Sequence, residues 1–353
     1  MILFLYGSDV YKSDLSTAIS SVTDIDKLRG SSVLITGATG LIGSFITDML
    51  AEYSRESGAG ITVYATGRSL KRLEERFRGC PEGTVRLIEY DVNAPADFGF
   101  DADFIIHAAG NAYPAAFAGD PVGTVMGNIT GTANLLGYAK KRGAKRFVFV
   151  SSGEVYGKAP ETVTVFKEDY SGYVDPTLPR SCYPSSKRAA ETLCAAYRAQ
   201  YGVDTVIVRP CHTYGPNATG SDNRANVQFV NNALAGKDIV MNSPGLQLRS
   251  YCYIADCASA ILSVMLKGAG GEAYNIANPD ATVTIAGFAE EVAAYTGKKV
   301  IFSVPDDAAK AQQTFIPHAV LDSSKLCSLG WTGQYSVKKG VSHTIDVLRG
   351  TEK

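Results

Sequence analysis

Along the first 210 positions, short runs of β-branched and aliphatic residues alternate with stretches whose apolar residues recur every three or four places. A brief continuous apolar run bounded by turn residues predicts a buried strand. The longer spacing predicts a helix with one face on a core. Strands are therefore predicted at 32–37 (SVLITG), 61–67 (ITVYATG), 85–91 (VRLIEYD), 103–109 (DFIIHAA), 146–152 (RFVFVSS) and 204–210 (DTVIVRP). Helices are predicted at 43–53, 70–77, about 120–142 and from Tyr183 onward. Strands and helices alternating in this way imply an α/β fold with a parallel sheet covered on both faces.

After residue 211 the pattern loosens. HTYGPNATGSDNRANVQ (212–228) is rich in Gly, Asn and Asp and predicts a long loop of the kind that carries function. LRSYCYIADCASAILSVML (248–266) returns to a strand followed by a helix, and the remainder predicts a smaller mixed lobe. The expected division is a dinucleotide-binding domain of 31–211 plus 247–270 and a discontinuous substrate lobe of 212–246 plus 271–353. Residues 1–30 are expected to form a helical extension ahead of the first strand, packed on the body or on a partner subunit.

Composition narrows the class. Of 353 residues, 45% are apolar and 20% charged, and the net charge is −1, so nothing favours nucleic acid or an anionic membrane as partner. Seven cysteines with no CxxC pair, beside only four histidines, predict reduced thiols in the cytoplasm and no metal site. The opening MILFLYGSDVYK is too short to span a bilayer and lacks the basic start of a signal peptide.

Candidate chemistry clusters at the carboxyl ends of the predicted strands, where parallel sheets bind ligands. TGATGLIG (36–43) puts Gly37, Gly40 and Gly43 between the first strand and a helix. Glycine there permits a tight turn and close backbone approach, and the helix start offers N–H groups to a pyrophosphate. This predicts a Rossmann-type doubly wound sheet holding a dinucleotide. The second strand ends ATGRS, with no carboxylate for an adenosine ribose. Arg68 suits adenine stacking or a 2′-phosphate, which would mark NADP. Asp91, after the third strand, is a candidate adenine contact and equally a turn residue.

RSCYPSSKRAAETLC (180–194) sets Lys187 one helical turn after Tyr183. A phenol titrates near ~10, too high for a base at neutral pH, unless positive neighbours favour the phenolate. With TGATGLIG, HAAGNAYP (107–114), VSSGEVYG (150–157), NITGT (128–132), HTYGP (212–216), LRSYCYIAD (248–256) and LDSSKLCSLGW (321–331), this segment resembles the extended short-chain dehydrogenase/reductase family. The resemblance covers about residues 31–345. It is to the enzymes that modify nucleotide sugars, and the stretch before Tyr183 resembles UDP-glucuronate decarboxylases in particular.

That resemblance implies roles. Tyr183 takes a proton from a sugar hydroxyl as hydride leaves the same carbon, Lys187 supports the phenolate and holds the nicotinamide ribose, and Ser152 holds the reacting oxygen. Glu154 would move the proton at C5. The cofactor contacts it implies are Gly37, Thr39, Gly40, Leu41, Ile42, Gly43, Arg68, Asp91, Val92, Ala108, Ala109, Gly110, Tyr183, Lys187 and Pro210. The substrate contacts are Tyr113, Ser152, His212, Arg224, Gln228 and Arg249, the arginines suiting a pyrophosphate by their planar fork. NAD is the implied cofactor, with NADP left open by Arg68. A UDP-linked sugar and a homodimer built on the Tyr183 helix are the implied partners. Cys182 reads as a buried thiol.

Oxidation at sugar C4 makes a ketone, and a C5 carboxylate then becomes a β-keto acid. Loss of CO2, loss of water, or re-reduction from the other face can follow, so decarboxylase, dehydratase and 4-epimerase share one mechanism. In related dehydratases an aspartic acid before the glutamate protonates the leaving hydroxyl. Here that position is Gly153. An NADPH-dependent carbonyl reductase and a non-catalytic dinucleotide-binding scaffold are the readings from other classes.

Overall fold

The computed structural model describes residues 5–303 and 318–350. In chain order its first half contains α1 (Asp9–Ser20), β1 (Ser32–Thr36), α2 (Leu41–Ser57), β2 (Thr62–Gly67), α3 (Leu70–Arg76), β3 (Val85–Glu89), β4 (Phe104–His107), α4 (Pro114–Gly119), α5 (Pro121–Arg142), β5 (Arg146–Val150) and β6 (Val165–Phe166). Then come α6 (Cys182–Tyr201), β7 (Thr205–Pro210), β8 (His212–Tyr214), α7 (Ala225–Leu234), β9 (Ile239–Met241), β10 (Leu248–Tyr253), α8 (Ile254–Lys267) and β11 (Ala273–Ile276). The chain continues through β12 (Thr282–Thr284), α9 (Ile285–Thr296), β13 (Val300–Phe302), β14 (His318–Leu321), α10 (Ser324–Cys327) and α11 (Val337–Gly350).

Seven parallel strands form the main sheet in the order β3-β2-β1-β4-β5-β7-β11. Chain direction across the sheet reverses between β1 and β4, which opens a crevice at their carboxyl ends. Alternation of side chains sends Val33, Ile35, Ile106 and Val148 to one core and Leu34, Ile105, Phe147 and Phe149 to the other. The first core is closed by α1, α2 and α8. The second is closed by α5 and α6, through Leu135, Leu136, Ala190 and Cys194. The sheet is therefore doubly wound, as its apolar runs predict.

A second sheet joins β12, β10, β14 and β6, with β8 beside β10. Strand membership here corrects the sequence reading. The strand expected to rejoin the main sheet, β10, lies in this second sheet. The main sheet's edge is β11, from a segment expected in the lobe. The loop expected at 212–228 is in fact β8, a strap of residues 215–224, and the start of α7. The helix shows itself only by the buried spacing of Val227, Val230 and Ala233. Residues 1–4, within the expected extension, and 304–317 and 351–353, within the expected lobe, lie outside the described residues. The extension packs on the body, with α1 lying against α2, α8 and α11. Among the described residues no helix is long and apolar enough to cross a membrane.

Candidate active site

The crevice between β1 and β4 is shaped by glycine. Gly37 has φ +70°, and a Cβ there would stand 2.7 Å from the Ala108 carbonyl oxygen and 2.8 Å from the Ala109 Cα. A Cβ on Gly43 would lie 2.5 Å from the Gly37 oxygen. Gly40 is the N-cap of α2 and has no side chain to cap it, so the first-turn N–H groups around Leu41 and Ile42 are open to a ligand. Thr39, Leu41 and Ile42 are all partly exposed at this turn. The cradle thus fits a pyrophosphate by what its backbone leaves free.

Around it stand the other residues expected to hold a cofactor. Arg68 is exposed just after β2. Asp91 accepts hydrogen bonds from the Asn93 backbone at 2.9 Å and side chain at 3.1 Å, which is the turn-residue behaviour anticipated for it. The Val92 carbonyl takes a hydrogen bond from Asn134 on α5. Gly110 has φ +152°, and a Cβ there would press on the Asn128 side chain at 2.9 Å and approach the Lys187 Nζ at 3.9 Å. Pro210 ends β7, and its carbonyl faces the Gly153 backbone.

Two buried residues here were not singled out from the sequence. His107 pairs with the Thr36 hydroxyl at 2.7 Å, tying the ends of β4 and β1 together. Burial first, then the Lys187 charge, pushes its imidazole down to about 3, so it stays neutral. Asn128 donates to the Ser186 hydroxyl at 2.9 Å. Both lie inside quoted motifs, HAAG and NITGT, and their complete burial is what marks them.

Tyr183 sits in the first turn of α6, where Pro184 is tolerated because no intrahelical N–H partner is lost. Its ring stacks on Phe117 of α4 at 4.4 Å between centroids. The Arg180 guanidinium lies over the Phe117 ring, 4.7 Å from its centre, and donates to both Glu154 oxygens at 3.1 and 2.8 Å. Ser152 accepts the Glu154 backbone N–H at 3.2 Å as cap of the short turn 153–156. Cys182 is buried beside Phe117 and Tyr183, its thiol pushed up by burial.

The Tyr183 phenol is not made acidic by the chain itself. Burial, then the Glu154 charge, pushes it up to about 12, while a hydrogen bond with Ser152 and the charges of Arg224 and Arg180 pull the other way. Lys187 is buried too and donates to the Val150 carbonyl at 2.8 Å. Burial pushes its ammonium down to about 8 against the upward pull of Glu191. Glu191 in turn holds the Ser151 hydroxyl at 2.5 Å and the Arg209 fork at 3.0 and 2.7 Å.

Of the expected substrate contacts, three converge. His212 lies beside Arg249 and Arg224 at an exposed position of β8, and partial desolvation followed by those two charges pushes its imidazole down. Arg249 is buried on β10, and its Nη1 donates to the Leu248 carbonyl at 3.0 Å. Arg224 is less available than expected, because Asp222 takes its fork at 2.6–3.0 Å and Thr213 takes its Nη1 at 3.1 Å. Gln228 turns to the strap, donating to the Asn223 carbonyl at 2.9 Å. Tyr113 likewise donates to Ser221 of the strap at 3.1 Å.

Comparison with known proteins finds relatives along most of the chain. Residues 33–277 match the model of the NAD dependent epimerase/dehydratase family. UDP-glucuronic acid decarboxylase 3 of Arabidopsis thaliana is 33% identical over 314 residues, covering 88% of this chain and 86% of that protein. UDP-glucuronic acid decarboxylase 1 of Danio rerio is 34% identical over 316 residues, covering 89% and 71%. Among solved structures, a UDP-glucose 4-epimerase of Thermotoga maritima with UDP-glucose shares the fold with a TM-score of 0.75 at 23% identity, covering 91% of this chain and 100% of that one. A dTDP-glucose 4,6-dehydratase of Streptomyces venezuelae with NAD bound does so with 0.74 at 23%, covering 90% and 97%.

Proposed function

The chain belongs to the NAD dependent epimerase/dehydratase family, and from that premise we propose that it is a UDP-glucuronate decarboxylase. The observation that carries this reading is the gathering of Ser152 and the Glu154–Arg180 pair around the buried Tyr183 phenol. Gly153 supplies no acid for a leaving hydroxyl, which favours loss of CO2 over loss of water.

The glycine cradle, Ala108, Ala109, Lys187 and Pro210 would hold the dinucleotide. Bound oxidised, it supplies the positive charge and the reversible two-electron acceptor that the site otherwise lacks. Tyr183 accepts the C4 hydroxyl proton, with Ser152 holding that oxygen in register. Lys187 favours the phenolate by its charge. With C4 a ketone, the C5–carboxylate bond breaks and its electron pair passes into the enolate. Glu154, oriented by Arg180, manages the proton that C5 then takes up, and Tyr183 returns its proton to the C4 oxygen as the alcohol is remade. Arg249 and Arg224 would meet the diphosphate. NAD is the cofactor we assign. Arg68 makes NADP the competitor to titrate against it.

We further propose a homodimer through α5 and α6, which pack on each other and expose Val122 (72%), Met126 (49%) and Tyr201 (43%). Seven unpaired cysteines suit a reducing, cytoplasmic setting. Incubation with UDP-glucuronate tests the activity. Release of CO2 with a UDP-pentose supports it, and interconversion of a UDP-hexose with UDP-glucuronate untouched overturns it.

A further inference from the structure

Helix α1 lies ahead of the residues that match the family, and the proposed reaction makes no use of it. Yet its inner face builds two buried polar junctions. In one, Asp14 accepts hydrogen bonds from Tyr253 at 2.6 Å and Tyr335 at 2.7 Å and pairs with His343 at 2.7 Å, fastening α1 to β10 and α11. In the other, Tyr11 donates to Asp48 of α2 at 2.5 Å, and Arg76 of α3 meets the same carboxylate oxygen at 2.6 Å.

The second junction reaches further. The Tyr11 oxygen accepts a hydrogen bond from the Asn217 side chain at 2.9 Å, and the same amide nitrogen donates to Ser44 at 3.1 Å. Ser44 stands in the first turn of α2, next to Gly43 of the cofactor cradle. Asn217 lies near the start of the strap 215–224 and is 6% exposed. The strap's other end is held at the surface by Ser221 to the Tyr113 hydroxyl and by Asn223 to the Ala115 N–H, and at half-buried depth by Arg224, whose Nη1 donates to the Thr213 carbonyl at 3.1 Å. It leads directly into Arg224 at the mouth of the cleft. The buried side-chain mooring at Asn217 is thus shared between the cofactor helix and the N-terminal extension.

We propose that Tyr11 is a positioning residue: through Asn217 it fixes the substrate-side strap, so that the N-terminal extension sets how tightly the cleft holds a nucleoside diphosphate. Both amide hydrogens of Asn217 are used, one on Tyr11 and one on Ser44. Removing the Tyr11 oxygen leaves one of them without a partner where the surroundings are dry. The Tyr11 ring itself would remain packed edge-on against Phe45. The nature of the ligand rests on the function proposed above. The mooring of the strap does not.

The experiment compares the full-length protein with Tyr11→Phe, Asn217→Ala and Tyr335→Phe. The last removes a matched buried hydroxyl from the Asp14 junction, which does not touch the strap. Amide hydrogen exchange over 215–224 is read first, without ligand, and UDP affinity second. Tyr11→Phe and Asn217→Ala are expected to speed exchange in the strap by about tenfold or more and to weaken UDP binding by about tenfold, the effect of losing the buried hydrogen bonding that holds Asn217. Tyr335→Phe is expected to change neither beyond about twofold. Should Tyr11→Phe fail to fold, Asn217→Ala still decides. Strap exchange unchanged in the variants, or raised equally in Tyr335→Phe, overturns the inference. A wild-type protein that ignores UDP overturns the nucleotide reading instead, while the exchange data still rule on the mooring.

Discussion

The Lys187 ammonium stands 5.9 Å from the centre of the Tyr183 ring and spends a hydrogen bond on the Val150 carbonyl at 2.8 Å. In the proposed reaction it would act on the phenol by charge across this gap, since its hydrogen bond goes to the backbone. Its charge is also precarious, because burial brings it down to about 8.

The pH profile should therefore show Lys187. As pH rises through about 8 the ammonium loses its proton, the phenolate loses a positive neighbour, and kcat/KM is expected to fall. Glu191 pulls Lys187 upward, so Glu191→Gln should move that limb to lower pH. The sign for folding is opposite. The folded pKa lies below the unfolded value of ~10.4, so the unfolded chain binds the proton more tightly and this group's contribution to stability rises with pH across that window. A basic limb at the same pH in wild type and Glu191→Gln would remove Lys187 from the account.

Gly43→Ala should abolish dinucleotide binding. Its methyl would sit 2.5 Å from the Gly37 oxygen and force the turn apart. A loss of about 100-fold or more in NADH affinity, by fluorescence titration, is expected from displacing a preformed backbone cradle. Gly99→Ala, with open space around the added methyl and no left-handed backbone, is the matched control and should bind as wild type does.

Glu154→Gln should separate chemistry from folding. The Glu154–Arg180 pair is about half exposed, with side chains 43% and 51% accessible, so the stability change should stay within about 1 kcal/mol. If Glu154 moves the C5 proton, kcat should fall by about 10²–10⁴ with KM little changed. Thermal melts and steady-state kinetics on one preparation check both halves, and an unchanged kcat would return Glu154 to the surface.

Much of this was legible in the sequence, for a physical reason. Strands buried on both faces need continuous apolar runs, and a backbone cradle needs glycine, so the main sheet and the turn at Gly37–Gly43 announce themselves locally. Edge strand β11 does not, because its Asn275 is buried with partners far along the chain, including Tyr156 at 2.5 Å and the Phe166 carbonyl at 3.0 Å. Helix α7 hides behind the Asn- and Gly-rich strap that feeds it. Part of the phenol's surroundings was equally unreadable. Phe117 arrives from a helix shorter than any periodic signal, and Arg180 finds Glu154 across 26 residues. The fork of Arg224 is claimed by Asp222, two positions away, which residue types alone do not reveal.

The most direct measurement follows UDP-glucuronate by NMR in the presence of the protein and a trace of NAD, with wild type beside Tyr183→Phe. One CO2 per UDP-pentose is expected, with NAD returned rather than used up and a rate about 10³-fold or more lower without the phenolic oxygen. NAD consumed mole for mole, or an equal rate in Tyr183→Phe, would contradict the proposed reaction.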